Sequence, residues 1–168
     1  MSFSLIPGGV CPSVTALDPA ALEKRGIRLV LADLDNTLAP YKALAPAPEV
    51  MAWKEALQAH GIALFLLSNS RKPTRVSTFA KAMNIPYQGR SGKPRRAGYV
   101  RAMERMGCRP EETLMVGDQI FTDTLGGNLA GVTPVLVEPI RLAGNPFRYV
   151  RYALETPFRA LGKRRDFL

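Results

Sequence analysis

Two aspartates separated by a single residue follow a short hydrophobic segment near the start of the chain. Asp33 and Asp35 come directly after residues 29–32, which read Leu-Val-Leu-Ala. Alternate side chains of an extended strand point to the same side, so these two carboxylates would lie close together. Neighbouring carboxylates repel each other unless a cation or a proton lies between them. The pair therefore indicates a cation site, with a turn at the end of a strand as the alternative.

A second pair of aspartates follows another hydrophobic segment. Residues 114–116 lead through Gly117 to Asp118, and Asp123 lies five positions further on. Gly117 permits a tight exit from a strand, which would bring Asp118 to the same sheet edge as Asp33. Mg²⁺ prefers such hard oxygen ligands, together with water and a substrate phosphate. The two acidic segments therefore predict a Mg²⁺ site. For Asp123, the alternative interpretation is that it starts the next helix.

Two further segments carry groups suited to holding phosphate. Ser68-Asn69-Ser70 follow a third apolar segment, where a hydroxyl and loop N–H groups could bind phosphate oxygens. Asn69 has the alternative of capping a turn. Lys93 precedes a helical segment, and its ammonium could neutralise a phosphoryl group and Asp33 together. These residues indicate chemistry on a phosphate ester.

Short apolar segments must position these polar residues. Five of them are expected to form buried parallel strands: 28–33, 62–67, 113–117, 133–137 and the less apolar 85–88. Segments with a helical spacing of apolar residues lie between them, at 19–24, 48–59, 73–83, 95–106 and 122–130. Alternation of strands and helices predicts an α/β fold with right-handed crossovers. The polar segments would then meet at the carboxyl edge of one sheet.

Composition is that of a globular protein, with 46% hydrophobic and 22% charged residues in 168 positions. The net charge of +9 is concentrated in residues 90–109 and 141–168. This distribution indicates an anionic partner such as a phosphate ester, a nucleic acid or an anionic bilayer, with solvated surfaces as the alternative. Two distant cysteines fit a reducing compartment, and we expect neither a signal peptide nor a transmembrane segment. A cytoplasmic location is therefore predicted.

Four segments, in this order and at this spacing, resemble the motifs of the haloacid dehalogenase (HAD) superfamily. They are residues 33–37 (Asp-Leu-Asp-Asn-Thr), Ser68-Asn69, Lys93-Pro94 and 117–123 (Gly-Asp-Gln-Ile-Phe-Thr-Asp). From about Pro7 to the C-terminus, the chain more narrowly resembles the YqeG-type HAD phosphatases. That subfamily is similar to the phosphatidylglycerophosphatases of mitochondria and plastids. The resemblance implies a three-layer Rossmann-like core with a mainly parallel five-stranded sheet, in which the strands before Asp33 and Asp118 are neighbours.

The resemblance also implies a role for each motif residue. Asp33 would attack phosphorus and form an aspartyl-phosphate, and Asp35 would protonate the leaving alkoxide and then activate water. Mg²⁺ would be held by Asp33, the backbone carbonyl of Asp35 and Asp118, with Asp123 as a ligand either directly or through water. The residues that bind the phosphate or support its loop would be Thr37, Ser68, Asn69 and Lys93.

The spacing of the motifs leaves no room for a large cap domain. Only 35 residues separate Asp33 from Ser68, and 25 separate Ser68 from Lys93. Most of these residues belong to predicted helices and strands. We therefore expect an open site that suits a large or surface-bound substrate, unless another subunit supplies a lid.

The C-terminal part of the chain, residues 141–168, is a basic amphipathic segment of the single predicted domain 1–168. Its apolar residues recur at helical spacing and are accompanied by six basic residues. The apolar positions are Phe147, Val150, Leu154, Phe158 and Leu161. Pro157 is predicted to restart the helix after Thr156. The segment would lie on an anionic membrane or pack on the sheet.

The combined expectation is a Mg²⁺-dependent phosphomonoester hydrolase. Phosphatidylglycerophosphate is the favoured substrate, and the enzyme would make peripheral contact with the inner membrane face. A phosphatase of nucleic-acid ends is an alternative that also fits the positive charge. A non-catalytic adaptor that retains the fold is the other alternative.

Overall fold

The computed structural model describes residues 3–141 and 146–163, apart from the side chains of Pro146 and Arg148. Its strands form one sheet in the order β1-β6-β5-β2-β3-β4, with every neighbouring pair parallel. The strands are β1 (Gly9–Cys11), β2 (Leu29–Ala32), β3 (Ala63–Leu67), β4 (Tyr87–Gln88), β5 (Thr113–Gly117) and β6 (Thr133–Val137). All five predicted strands are present. The predicted count misses β1, because this three-residue edge strand is too short to carry a periodic signal.

Six α-helices connect or follow these strands. They are α1 (Pro19–Lys24), α2 (Pro48–Ala59), α3 (Pro73–Met83), α4 (Arg96–Met106), α5 (Leu125–Ala130) and α6 (Pro146–Gly162). The prediction of one α-helix over 122–130 is wrong for its first turn, because residues 120–124 form a wider π-helical turn before α5. The N–H groups of Asp123 and Thr124 both donate to the carbonyl oxygen of Gln119 there.

The hydrophobic core is divided between the two faces of the sheet, which gives the three predicted layers. Alternate residues of β2 point to opposite faces, as in any strand. Val30 packs on one side in a cluster with Trp53 of α2 and Phe79 of α3. Leu31 packs on the other side in a cluster with Tyr99 of α4. The central strands are therefore covered on both faces, which accounts for their continuous apolar sequences.

The register of the central strands brings three polar loops together. Ala32, the last residue of β2, pairs with Leu66 of β3 on one side and with Val116 of β5 on the other. The chain thus leaves the sheet at Asp33, Ser68 and Asp118 along one edge. In the described residues, the segments between the motifs consist of α2, β3, α3, β4 and their loops, so the prediction that no large cap is inserted is confirmed.

The C-terminal helix α6 is continuous through Pro157, so the predicted restart at this proline is wrong. Proline deprives the carbonyl of Ala153 of its helical hydrogen bond. Both residues are exposed, so water can satisfy that carbonyl without a break in the helix. No helix in the described part of the chain is long and apolar enough to cross a membrane.

The helix α6 packs on the domain largely through polar residues and leaves most of its large apolar side chains exposed. Glu155 and Arg159 are buried, whereas Phe147 is 79% and Leu154 is 61% exposed. The apolar stripe therefore does not pack on the sheet over this part of the helix. Arg164 and Arg165, which belong to the predicted basic tail, lie outside the described residues, as does the side chain of Arg148.

Candidate active site

Three buried aspartates converge at the carboxyl edge of the sheet. Asp33 directly follows β2, Asp118 directly follows β5, and Asp123 lies in the π-helical turn. One carboxylate oxygen from each lies within 4.8 Å of the others. The backbone N–H of Asp33 donates to the carbonyl oxygen of Val116 (2.9 Å), which ties the two strand ends together. Three of the four sequence-predicted carboxylates thus form one cluster, which the carboxylate of Asp35 does not join.

Lys93 joins this cluster from the loop between β4 and α4. Its Nζ lies 2.7 Å from Oδ1 of Asp33 and 2.8 Å from Oδ1 of Asp123, with 6% of the residue exposed. Burial alone would lower the pKa of Lys93, but the charges of Asp123 and Asp33 outweigh it and raise this pKa above its usual value. Lys93 therefore carries a positive charge between two carboxylates.

Asn69 holds the loop that carries Lys93. Its Oδ1 accepts from the hydroxyl of Ser91 (2.8 Å) and from the N–H of Lys93 (2.9 Å). Its Nδ2 donates to the carbonyl oxygen of Lys93 (2.9 Å). The neighbouring Ser68 is buried, and its hydroxyl accepts from the N–H of Ser70 (3.1 Å). Both predicted residues line the cavity, and the Asn69 amide bonds to the loop of Lys93.

Gly117 allows Asp123 to approach the end of β5. A Cβ atom at this position would overlap with the carboxylate of Asp123. That carboxylate also accepts from the N–H of Gln119 (3.2 Å). On the far side of the turn, the buried hydroxyl of Tyr99 donates to the carbonyl oxygen of Thr122 (3.1 Å). Asp123 is thus fixed by its own turn as well as by Lys93, and Tyr99 is a support that the sequence did not reveal.

The carboxylate of Asp35 points to a different partner. Its Oδ1 lies 2.8 Å from Nη1 of Arg75, which is buried on α3. Nη2 of Arg75 donates to the carbonyl oxygen of Pro40 (3.4 Å), and its guanidinium lies 5.8 Å from the ring centre of Tyr41. Arg75 could not be identified from the sequence, since an arginine in a helix gives no signal of which face it occupies.

Thr37 and Asn36 shape the loop after β2. Thr37 is buried, and its hydroxyl donates to Oδ1 of Asp118 across 3.5 Å. Asn36 has a φ of 64°, a left-handed conformation that asparagine tolerates better than most residues. The turn at Asn36 leads the chain back, so that Thr37 can reach Asp118.

The C-terminal helix holds the loop that carries Asp118. Nη2 of Arg159 donates to the backbone carbonyl oxygen of Asp118, and Oε1 of Glu155 accepts from the N–H of Ile120 (2.9 Å). These two helix residues also face each other, with Nη2 and Oε2 3.4 Å apart. Neither was singled out from the sequence, where both read as members of a charged helix surface.

The electrostatics of the aspartate cluster favour a divalent cation. Burial raises the pKa of Asp118 well above its usual value, and the charges of Asp33 and Asp123 raise it further. Burial also raises the pKa of Asp123, against the opposing effect of Lys93. The cluster thus holds more negative charge than Lys93 compensates. Because its donors are hard carboxylate oxygens, the residues present fit Mg²⁺.

A cavity of about 400 Å³ opens above these residues. Its floor includes Asp33, Asp35, Ser68 and Lys93, and Asn69 lies on its wall. Its rim is lined by Tyr41, Ser70, Arg71, Lys72, Gln119, Thr122, Phe147 and Arg151. The cavity is open to solvent in the part of the chain that the structure describes, as expected for a site without a cap.

Comparisons with known proteins place this site in a family. A haloacid dehalogenase-like hydrolase model matches residues 14–131. "Probable phosphatase YqeG" of Bacillus subtilis is 31% identical over 135 residues, which are 80% of this chain and 78% of that protein. The chloroplastic "phosphatidylglycerophosphate phosphatase 1" of Chlamydomonas reinhardtii is 29% identical over 86% of this chain, and the match spans 57% of that longer relative.

A solved structure shows the same fold at low sequence identity. The 3-deoxy-D-manno-octulosonate 8-phosphate phosphatase of Moraxella catarrhalis, in complex with magnesium ion, phosphate ion and KDO, superposes with a TM-score of 0.52 and 16% identity. The match covers 87% of this chain and 95% of that chain. The prediction of an enzyme of the HAD phosphatase type, similar to the YqeG group, is confirmed by the family match and these relatives. The chain belongs to the haloacid dehalogenase-like hydrolase family.

Proposed function

We propose that the protein is a Mg²⁺-dependent phosphomonoester hydrolase that works through an aspartyl-phosphate on Asp33. The observation that carries this proposal is the convergence of oxygens from Asp33, Asp118 and Asp123 within 4.8 Å, with Lys93 2.7 Å from the first of them. Such a site combines a nucleophile, ligands for a cation and a fixed positive charge. These are the components that phosphoryl transfer requires.

The first half of the reaction uses Asp33 and Asp35. The free carboxylate oxygen of Asp33 attacks phosphorus, and the bond from phosphorus to the leaving oxygen breaks. Asp35 in its acid form donates its proton to that oxygen, so the alcohol leaves neutral. Lys93 and the hydroxyl of Ser68 hold the phosphoryl oxygens at the cavity floor.

The second half regenerates the enzyme. Asp35, now a carboxylate, takes a proton from a water molecule whose oxygen attacks phosphorus. The bond between phosphorus and Asp33 breaks, and inorganic phosphate leaves through the open mouth. Mg²⁺, held by Asp33, Asp118 and Asp123 and by the Asp35 carbonyl, would supply the positive charge that lets a carboxylate approach a phosphate. Thr37 and Asn69 support the two loops that carry these groups.

A lipid head group is the proposed substrate, with phosphatidylglycerophosphate as the favoured case. Relatives that match over most of this chain include a phosphatidylglycerophosphate phosphatase. The cavity mouth has no cap in the described residues, and Phe147 at its rim is 79% exposed. An open mouth beside exposed apolar side chains suits a phosphate that is anchored in a bilayer.

The outward face of α6 is the proposed contact with an anionic membrane. Val150 is 59%, Leu154 is 61% and Leu161 is 43% exposed on this helix. Among the described residues, the exposed Lys163 and the partly exposed Arg151 add positive charge. Helices with such a face bind in the plane of a membrane surface. The predicted cytoplasmic location would put this face against the inner side of the membrane.

The decisive experiment measures phosphate release by the purified chain from phosphatidylglycerophosphate in anionic mixed micelles. Release should require Mg²⁺ and fall by about 10³-fold or more in Asp33→Asn, because the nucleophile is lost. Asp18→Asn is the matched control, since Asp18 only caps α1 and asparagine caps equally well. Good turnover of soluble esters without release from the lipid would remove the lipid substrate. Preferred release from 5′-phosphorylated DNA would favour the nucleic-acid alternative.

The membrane contact has its own test in co-flotation with vesicles. Phe147→Ser with Leu154→Ser should weaken binding to anionic vesicles, because both side chains are exposed on α6. Tyr87→Ser is the control, an exposed aromatic residue on the edge strand β4. Equal flotation of both variants and the wild type would contradict the proposed contact.

A further inference from the structure

Three basic residues at the cavity mouth have no part in the chemistry proposed above. Arg71 and Lys72 lie in the loop between β3 and α3, and Arg151 lies on α6. They reach the same cavity from two different elements, on the rim around Asp33 and Lys93. No ion pair within 4.0 Å joins any of the three to a carboxylate in the parts of the chain that are described. These cations are therefore available to a ligand.

The charges of the floor are already balanced without them. Lys93 is shared between Asp33 and Asp123, and Arg75 is paired with Asp35. With one divalent cation bound, these two basic residues and the cation match the four carboxylates of the site. The three rim cations are then in excess, and this excess is larger than the phosphomonoester dianion would neutralise.

The loop that carries Arg71 and Lys72 is held in place. The hydroxyl of Ser68 accepts from the N–H of Ser70 (3.1 Å), and the hydroxyl of Ser70 accepts from the N–H of Lys72 (3.2 Å). The helix α3 begins directly afterwards, so its N-terminus adds partial positive charge near this part of the rim. From the helix α6, Arg151 lines the same cavity together with Gln119 and Thr122.

The size of the cavity matches a ligand larger than phosphate. Its volume of about 400 Å³ falls in the range of pockets that hold small organic molecules, roughly 300–1,000 Å³. Tyr41 and Phe147 supply apolar surface between the floor and the basic residues. A substrate with a short carbon chain between two anionic groups would fill such a space.

We propose that Arg71, Lys72 and Arg151 form a second anion subsite, which holds a phosphodiester of the substrate while its phosphomonoester reacts at Asp33. The inference rests on the proposed function and narrows the substrate class to phosphomonoesters that carry a second, diester phosphate. Guanidinium groups suit this ligand because they donate paired hydrogen bonds to phosphate oxygens.

The test compares two soluble substrates that differ in one negative charge and the single methyl group that removes it. Both are glycerol 3-phosphate, substituted at the other primary hydroxyl with either an anionic methyl phosphodiester or a neutral dimethyl phosphotriester. The wild type should show a kcat/KM about tenfold higher for the diester, and added salt should reduce this ratio. Arg151→Ala and the double variant Arg71→Ala with Lys72→Ala should each lower the ratio about threefold or more. Arg101→Ala, an exposed basic residue of α4, should keep it.

Three outcomes would overturn the subsite. The first is that the wild type turns over the two substrates equally. The second is that both rim variants keep the wild-type ratio of kcat/KM for the diester and the triester. The third is that Arg101→Ala lowers this ratio as much as the rim variants do. The double variant decides the question if Arg151→Ala does not fold. Absence of phosphate release from both substrates by the wild type would instead refute the proposed function, and the subsite with it.

Discussion

Arg159, near the C-terminus, donates a hydrogen bond of 2.5 Å to the backbone carbonyl oxygen of Asp118, which lies 41 positions earlier in the chain. The side chain of Arg159 is only 4% exposed, and its guanidinium also faces the carboxylate of Glu155. That carboxylate accepts a hydrogen bond from the N–H of Ile120. Two residues of α6 thus bracket the proposed metal ligand. The C-terminal helix is therefore part of the support of the catalytic edge.

Replacement of Arg159 with alanine should destabilise the protein and weaken Mg²⁺ binding. Loss of one partner from a buried ion pair costs about 3–5 kcal/mol, because Glu155 would remain buried without compensation. Urea unfolding and Mg²⁺ titration measure the two effects. Lys163→Ala on the same helix is the control, because its long, exposed ion pair should contribute under about 1 kcal/mol. If Arg159→Ala binds Mg²⁺ as tightly as the wild type, Arg159 only attaches α6 to the domain and does not support the metal site.

Arg75→Ala should impair the reaction most for substrates with poor leaving groups. Arg75 positions the carboxylate of Asp35 (2.8 Å), which is proposed to protonate the leaving oxygen. An alkyl phosphate needs that proton, whereas nitrophenolate leaves without one. We expect kcat to fall about tenfold more on glycerol 3-phosphate than on p-nitrophenyl phosphate. Lys81→Ala, exposed on the same helix, should change neither. If kcat falls equally on the two substrates, Arg75 has a structural role and does not act through Asp35.

Asp118→Asn should make the metal-free protein more stable while it reduces the stabilisation that Mg²⁺ provides. Because burial and neighbouring carboxylates raise the pKa of Asp118, the metal-free fold loses stability as the pH rises from the ordinary aspartate pKa through this raised pKa. The neutral variant should therefore unfold at a higher temperature than the wild type at pH 7.5 without metal. Mg²⁺ at 100 times its Kd should add about 2.7 kcal/mol to the wild type and little to the variant. An unchanged Mg²⁺ response in Asp118→Asn would contradict the assignment of this ligand.

Gly117→Ala should displace Asp123, because the added Cβ overlaps with the Asp123 carboxylate. We expect a loss of stability of about 1–3 kcal/mol, typical of overpacking, together with loss of most of the Mg²⁺-dependent activity. Gly89→Ala is the matched control, since its nearest neighbour would be the Val76 side chain at 4.0 Å. A fully active Gly117→Ala would show that the turn can move without consequence.

Cys11 should make the protein less stable at alkaline pH. Burial raises the pKa of this thiol from 9.0 to about 11, so between these values the folded state binds more protons than the unfolded state. The free energy of unfolding therefore falls as the pH rises, by about 1 kcal/mol between pH 8 and pH 10. Cys11→Val should show a correspondingly smaller loss over the same interval in urea unfolding. An identical pH dependence in the two proteins would contradict this assignment.

Much of the site could be predicted because its residues end hydrophobic strands. Asp33 and Asp118 each follow a continuous apolar segment, and parallel strands bring such ends to one edge. The supporting residues could not be predicted in this way. Arg75 and Arg159 lie within helices, and which face of a helix is buried depends on packing that spacing alone does not determine. The outward apolar face of α6 is the clearest case, since hydrophobic spacing identifies a face and not its environment.

Among the residues that the structure describes, none forms a cap over the cavity mouth, and this has a kinetic consequence. When the substrate reaches the reacting groups without closure of a lid, no lid motion limits the rate of turnover. In the proposed reaction, inorganic phosphate diffuses away once water attack has broken its bond to Asp33, and the next substrate enters through the same mouth. Turnover should then be indifferent to solvent viscosity and paced by bond breaking.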